Sequence, residues 1–159
     1  IGKITYRLGR GGRRPDNDSP ADSEGMCDCS GFTAWACSYD RYKLGFNTGG
    51  SVEDYVNTTS MLEDARGIKS MWQVVEHPAP GDVAVFEGTS GSVGHCGIVM
   101  SCPPEFSLGS PEKRWKDLMV CDCSPANMRR AGEDAIAVRS WASLRGAMVQ
   151  RGDFIRYKG

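Results

Sequence analysis

The spacing of hydrophobic and polar positions changes part-way along the chain, near residue 80. From Cys29 to about Tyr39, the residues Phe32, Trp35 and Ala36 recur at intervals of three and four, which predicts a helix with one inward face. Gly45 follows soon after and stops it. Ser51 with Asp54 three residues on resembles a capping box, and Val52, Tyr55, Val56 and Leu62 share a face, so a second helix is expected over roughly 52–65, ended by Gly67. Beyond Pro78 and Pro80 the chain turns to short β-rich segments between turns. These predict strands at Asp82–Glu87, His95–Ser101, Leu118–Cys123, Ala135–Arg139 and Asp153–Tyr157. Residues 1–26 read as a loop, because Gly9, Gly11, Gly12, Pro15 and Pro20 interrupt any period.

Helices first and strands afterwards, without alternation, point to an α+β fold rather than a doubly wound parallel sheet. The expected architecture is N-terminal helices packed on a roughly five-stranded antiparallel sheet. At 159 residues the chain has the size of one domain, 1–159, with an N-terminal loop segment (1–26), a helical part (29–75) and a sheet part (82–157). The connection over 102–116, with Pro103, Pro104, Gly109 and Pro111, is long for a hairpin; it either lines a site or forms an exposed excursion.

The formal net charge is -1, with 19 basic and 20 acidic residues, which gives no reason to invoke nucleic acid or an anionic membrane surface as the main partner. No apolar run approaches the ~18 residues of a membrane span, and no leader-peptide pattern is visible, although a chain beginning at Ile1 is compatible with processing. Seven cysteines form an odd set, so at least one thiol stays unpaired within the chain. Two Cys-Asp-Cys elements, at 27–29 and 121–123, resemble half-sites for zinc, yet structural zinc sites usually separate their cysteines by two or more residues. Inert thiols in a reduced compartment are the plainer reading of most of the seven.

One cysteine stands apart. Asp28-Cys29-Ser30-Gly31-Phe32 leads into the apolar stretch Thr33-Ala34-Trp35-Ala36-Cys37, which places Cys29 where a loop becomes a helix. Backbone N–H groups without intrahelical partners and the positive end of the helix dipole favour thiolate there. A thiol nucleophile needs a base, and the chain has two histidines. His77, between Glu76 and Pro78, reads as an exposed turn residue. His95 begins the strand His95-Cys96-Gly97-Ile98-Val99-Met100, where alternation groups it with Gly97 and Val99, and the glycines around it leave space beside the imidazole. A third polar group usually orients such an imidazole. In Met119-Val120-Cys121-Asp122-Cys123-Ser124, Asp122 falls on the face of Val120, and an acid among apolar neighbours needs a partner. Asp122 is therefore the expected orienting group; its alternative is a strand-end residue that caps the turn at Ser124-Pro125. A one-residue shift would put Cys123 or Ser124 in its place.

Taken in order, Tyr6 with Gly11-Gly12, Asp28-Cys29-Ser30-Gly31-Phe32, Gly81-Asp82-Val83-Ala84-Val85-Phe86, His95-Cys96-Gly97-Ile98-Val99 and Val120-Cys121-Asp122-Cys123-Ser124 resemble the NlpC/P60 family of papain-like cysteine peptidases. The matches span most of the chain, while residues 40–75 and the stretch after 125 match nothing specific. The family commonly carries histidine at the third position, where this chain has Asp122. The resemblance implies a papain-like fold and hydrolysis of stem-peptide bonds in bacterial cell-wall peptidoglycan, often beside γ-D-glutamyl and diamino acid residues. It assigns Cys29 as nucleophile, His95 as base, Asp122 as orienting residue, and Tyr6, Asp28 and Ser30 as stem-peptide contacts, with neither metal nor cofactor. Tyr6 also reads as a half-buried cover, and Asp28 and Ser30 as helix caps.

The implied setting is the bacterial cell wall, reached by a phage endolysin, a secreted hydrolase or an effector, with an inhibitor or immunity protein as a further partner. Two other readings use the same residues: a CHAP-type amidase or acyltransferase relative acting on a different bond, and a zinc-stabilised binding module built from the two Cys-Asp-Cys elements.

Overall fold

A computed structural model describes residues 3–13, 16–42, 55–67, 71–131 and 134–159. In chain order it contains strands β1 (Thr5–Tyr6) and β2 (Met26–Cys27), helices α1 (Cys29–Ala36) and α2 (Thr58–Arg66), strands β3 (Trp72–Val75), β4 (Val83–Phe86), β5 (His95–Ser101) and β6 (Met119–Cys123), helix α3 (Pro125–Ala131), strand β7 (Ile136–Ser140), helix α4 (Arg145–Arg151) and strand β8 (Gly152–Tyr157). The class is α+β, with one six-stranded sheet in the order β3-β8-β4-β5-β6-β7 and a two-stranded parallel ladder, β1-β2. The β3–β8, β8–β4, β4–β5 and β5–β6 pairs are all antiparallel.

The expected strands are present within one or two residues of their predicted ends. A sixth, β3, lies inside the stretch expected to be helical. It runs antiparallel to β8, Trp72 opposite Tyr157 and Val75 opposite Phe154, at the sheet's edge. Its residues, Trp72-Gln73-Val74-Val75, do not keep a strict alternation, so the pairing defines it. The second helix starts at Thr58, six residues later than the predicted 52; Ser51, Val52 and Asp54, the capping box included, lie outside the described residues. Helices α3 and α4 also interrupt the strand region, so helix and strand are less segregated than expected. Ser124-Pro125 was a legible helix start: the Ser124 hydroxyl accepts the N–H of Asn127 (3.3 Å), and proline suits the first helical position.

Two compact units are distinguished, each drawn from two stretches: residues 1–57 with 122–137, and residues 58–121 with 138–159. In the second unit, Ala84, Phe86, Val99, Phe106, Trp115, Leu118, Val120, Trp141, Met148 and Phe154 form one buried cluster. The 102–116 connection supplies Phe106 and Trp115 to it, their rings 5.1 Å apart and edge to face, so its role is core packing. Asp64, buried in the last turn of α2, accepts the N–H groups of Met71 and Trp72 (both 2.9 Å) and ties that helix to β3. Asp82 of the Gly-Asp motif is likewise structural: it takes a two-pronged ion pair from Arg156 of β8 (2.7 and 2.8 Å) and the N–H of Ala79.

In the first unit the N-terminal stretch is an ordered loop pinned at several points. The N–H of Thr5 donates to the Gly25 carbonyl and that of Arg7 to the Cys27 carbonyl, which makes the β1-β2 ladder. Asp22 organises the return, accepting the N–H groups of Glu24 and Met26 and pairing with Arg10.

Candidate active site

Cys29 is the first residue of α1, and Asp28 is its N-cap. The Asp28 carboxylate accepts the N–H of Gly31 (2.7 Å) and the Ser30 hydroxyl (3.1 Å) on one oxygen and the N–H of Gly9 (2.6 Å) on the other. A charge so deeply buried needs a countercharge, and Arg41 supplies it: Nη1 lies 2.8 Å from Asp28 Oδ1, and Nη2 donates to Ser30 Oγ (2.7 Å). Arg41 itself is wholly buried, its guanidinium 4.4 Å over the Tyr55 ring and its Nη1 also bonded to the Arg10 carbonyl. Burial works against the charged guanidinium, but Asp28 outweighs it and holds Arg41 above its ordinary range.

This network explains the glycine of Asp-Cys-Ser-Gly. A Cβ on Gly31 would fall 2.5 Å from the Arg10 carbonyl and 2.9 Å from Arg41, and Gly12, at φ +71°, meets the Gly31 carbonyl just as closely. The loop therefore rests directly on the start of α1. That contact reverses one expectation, since Ala36 is exposed, Trp35 is half-buried, and the inward surface is the first half of the helix from Cys29 to Ala34.

Of the other predicted residues, Tyr6 is half-buried in β1 opposite Cys27, its N–H directed at Met128 Sδ (3.2 Å). Asp28 and Ser30 make cap and ion-pair contacts. Asp122 is fully buried in β6, grouped with Val120 as alternation predicts, and its carboxylate accepts Asn127 Nδ2 (3.0 Å) from α3. Arg41 and Asn127 were missed: nothing in their spacing links them to carboxylates 13 and 5 residues away, and only the chain's return brings them together.

Cys123 donates its thiol toward the Cys27 carbonyl (3.4 Å), and the neighbouring Cys27 thiol, burial and the nearby Cys27 and Cys29 sulfurs push its pKa up, so it stays a thiol. Burial pushes Cys37 up to about 12. Neither competes as a thiolate nucleophile. Among the described residues, no three His, Cys, Asp or Glu side chains are placed to hold a metal ion. A polar cavity of about 670 Å³ in this unit is lined by Gly9, Arg10, Arg13, Asp22 and Tyr42 among others.

His95 belongs to the second unit and opens β5 opposite Phe86 of β4. It is half-buried, stacked on Trp141 with ring centroids 5.5 Å apart and planes at 25°. The glycine before it does not leave space. A Cβ on Gly94 would fall 2.6 Å from the Phe86 carbonyl and against Thr58 Oγ1, so the gap is already filled. His77 is exposed, with Nδ1 3.2 Å from the Phe106 carbonyl.

The structure thus gathers Tyr6, Asp28, Cys29, Ser30 and Asp122 in the first unit and places His95 in the second. No family model, curated protein or solved structure matches this chain. No helix among the described residues is long and apolar enough to cross a membrane.

Proposed function

We propose that this protein is a cysteine peptidase that hydrolyses stem-peptide bonds of bacterial peptidoglycan, of the γ-D-glutamyl-diamino acid type, and that its fold is of the NlpC/P60 kind. The observation that carries the reading is Cys29 at the first position of a helix whose cap, Asp28, is held by Arg41 and Gly9. Such anchoring costs a small domain a buried charge pair, and it fixes the backbone that a nucleophile and its oxyanion donor need. The ordered motifs in the sequence add the histidine strand.

In this reading the Cys29 thiolate attacks the scissile carbonyl and the backbone N–H of Cys29 receives the oxyanion. Collapse of that intermediate breaks the C–N bond, the amine leaves with a proton from His95, and a thioester on Cys29 remains. Water, deprotonated by His95, then releases the acid. Asp122 orients the imidazole, and Tyr6, Asp28 and Ser30 face the stem peptide. The setting is the cell wall, with an inhibitor or immunity protein as a further partner.

The test is incubation of purified protein and its Cys29→Ala variant with muropeptides, with new termini identified by mass spectrometry. Digestion by the parent alone, with a bell-shaped pH dependence that His95→Ala abolishes, is the expected result. Equal digestion by both proteins sinks the nucleophile assignment. Release of a sugar-linked carboxylic acid together with a peptide bearing a new free amine would favour the CHAP-type amidase reading, and unfolding by a chelator the zinc-stabilised module.

A further inference from the structure

We propose that Trp141 is a positioning residue for His95: its indole face fixes the plane of the imidazole and attracts the imidazolium formed when the ring takes up a proton, an inference that rests on His95 acting as base. The two rings lie 5.5 Å apart at 25°, an offset stack. Phe86 approaches both, with centroids 6.2 Å from His95 and 6.2 Å from Trp141. The imidazole is stacked on one face by Trp141 and approached by the tilted Phe86 ring, which restricts its rotation about χ2.

The platform is rigid. Trp141 is wholly buried, its backbone N–H donates to the Leu118 carbonyl (3.0 Å), and its own carbonyl accepts the N–H of Leu144 (2.9 Å). A second observation argues that packing alone does not explain an indole here. Its Nε1–H has no hydrogen-bond partner among the described residues, whereas the equally buried Trp115 donates Nε1–H to the Ser110 carbonyl (3.2 Å). A stranded buried donor destabilises the fold, and phenylalanine would fill much of the same space without one. What indole adds is the aromatic face most attractive to a cation.

The experiment compares the parent with Trp141→Phe and Trp141→Leu by muropeptide turnover, denaturation midpoint and the ring-proton NMR signals of His95. Trp141→Phe is expected to be as stable as the parent or more so, with kcat lowered on the order of fivefold and KM unchanged. Trp141→Leu is expected to lose more of kcat and to move the His95 ring protons downfield as the ring current disappears. Full kcat in Trp141→Phe, or a change confined to KM, overturns the proposal while leaving the peptidase reading intact. A parent protein that releases no new termini removes that reading and the catalytic role of Trp141 with it, even if the NMR signals still report the stack.

Discussion

Arg41 decides the character of the first unit at the scale of single residues. Its charge faces buried Asp28, and the two share their bonds with Ser30 and with the loop that covers the helix start. Removing one member of such a pair leaves the other charged and buried, which costs about 3–5 kcal/mol. Arg41→Leu should therefore lose about that much in chemical denaturation, and a variant that also carries Asp28→Asn should recover part of it. No loss in the single variant would show the pair to be solvated. Gly31→Ala acts through shape: its Cβ would meet backbone at 2.5 Å, so the loop or helix must shift. A loss of about 1–3 kcal/mol is expected from such overpacking, together with a fall in muropeptide turnover, and an unchanged midpoint would contradict the close approach.

At the scale of elements, the return of the N-terminal loop is organised by Asp22. Burial raises the pKa of Asp22, but the bond from Arg10 and the N–H groups of Met26 and Glu24 outweigh it, leaving the value below the ordinary 3.8. A carboxylate whose pKa is depressed in the folded state stabilises above its unfolded pKa, and that stabilisation fades as pH falls through the folded value. Asp22→Asn should thus lower the denaturation midpoint at pH 7 and converge with the parent in strong acid. A constant gap at every pH would mean that the charge contributes nothing. The same scale shows why β1, β2 and β3 escaped the sequence: β1 and β2 have two residues each, too few for a period, β3 does not keep its alternation through Val75, and these strands are defined by the partners that Gly25, Cys27 and β8 present. The helix start at Cys29, by contrast, was legible because its cap residue lies next to it in the chain.

Across the whole molecule, β8, β4 and β5 run together inside the sheet, flanked by other strands on both sides, and their residues supply Ala84, Phe86, Val99 and Phe154 to the large core cluster. Hydrogen exchange should be slowest at Val83–Phe86 and at the paired N–H groups of β5 and β8, and fast along the edge strand β3. Equal protection of β3 would place it away from an edge.

The sequence alone determined the α+β class, the strands from β4 onward within a residue or two, the helix that begins at Cys29, and the burial of Asp122 beside Val120. These rest on alternation and capping between residues close in the chain, where local geometry leaves few choices. Tertiary structure alone decided that Arg41 and Asn127 serve Asp28 and Asp122, that Gly94 is filled rather than open, and that Trp141 lies under His95. Each of those depends on which distant segments meet, and pairing a buried charge or stacking a ring leaves no periodic trace in the order of residues.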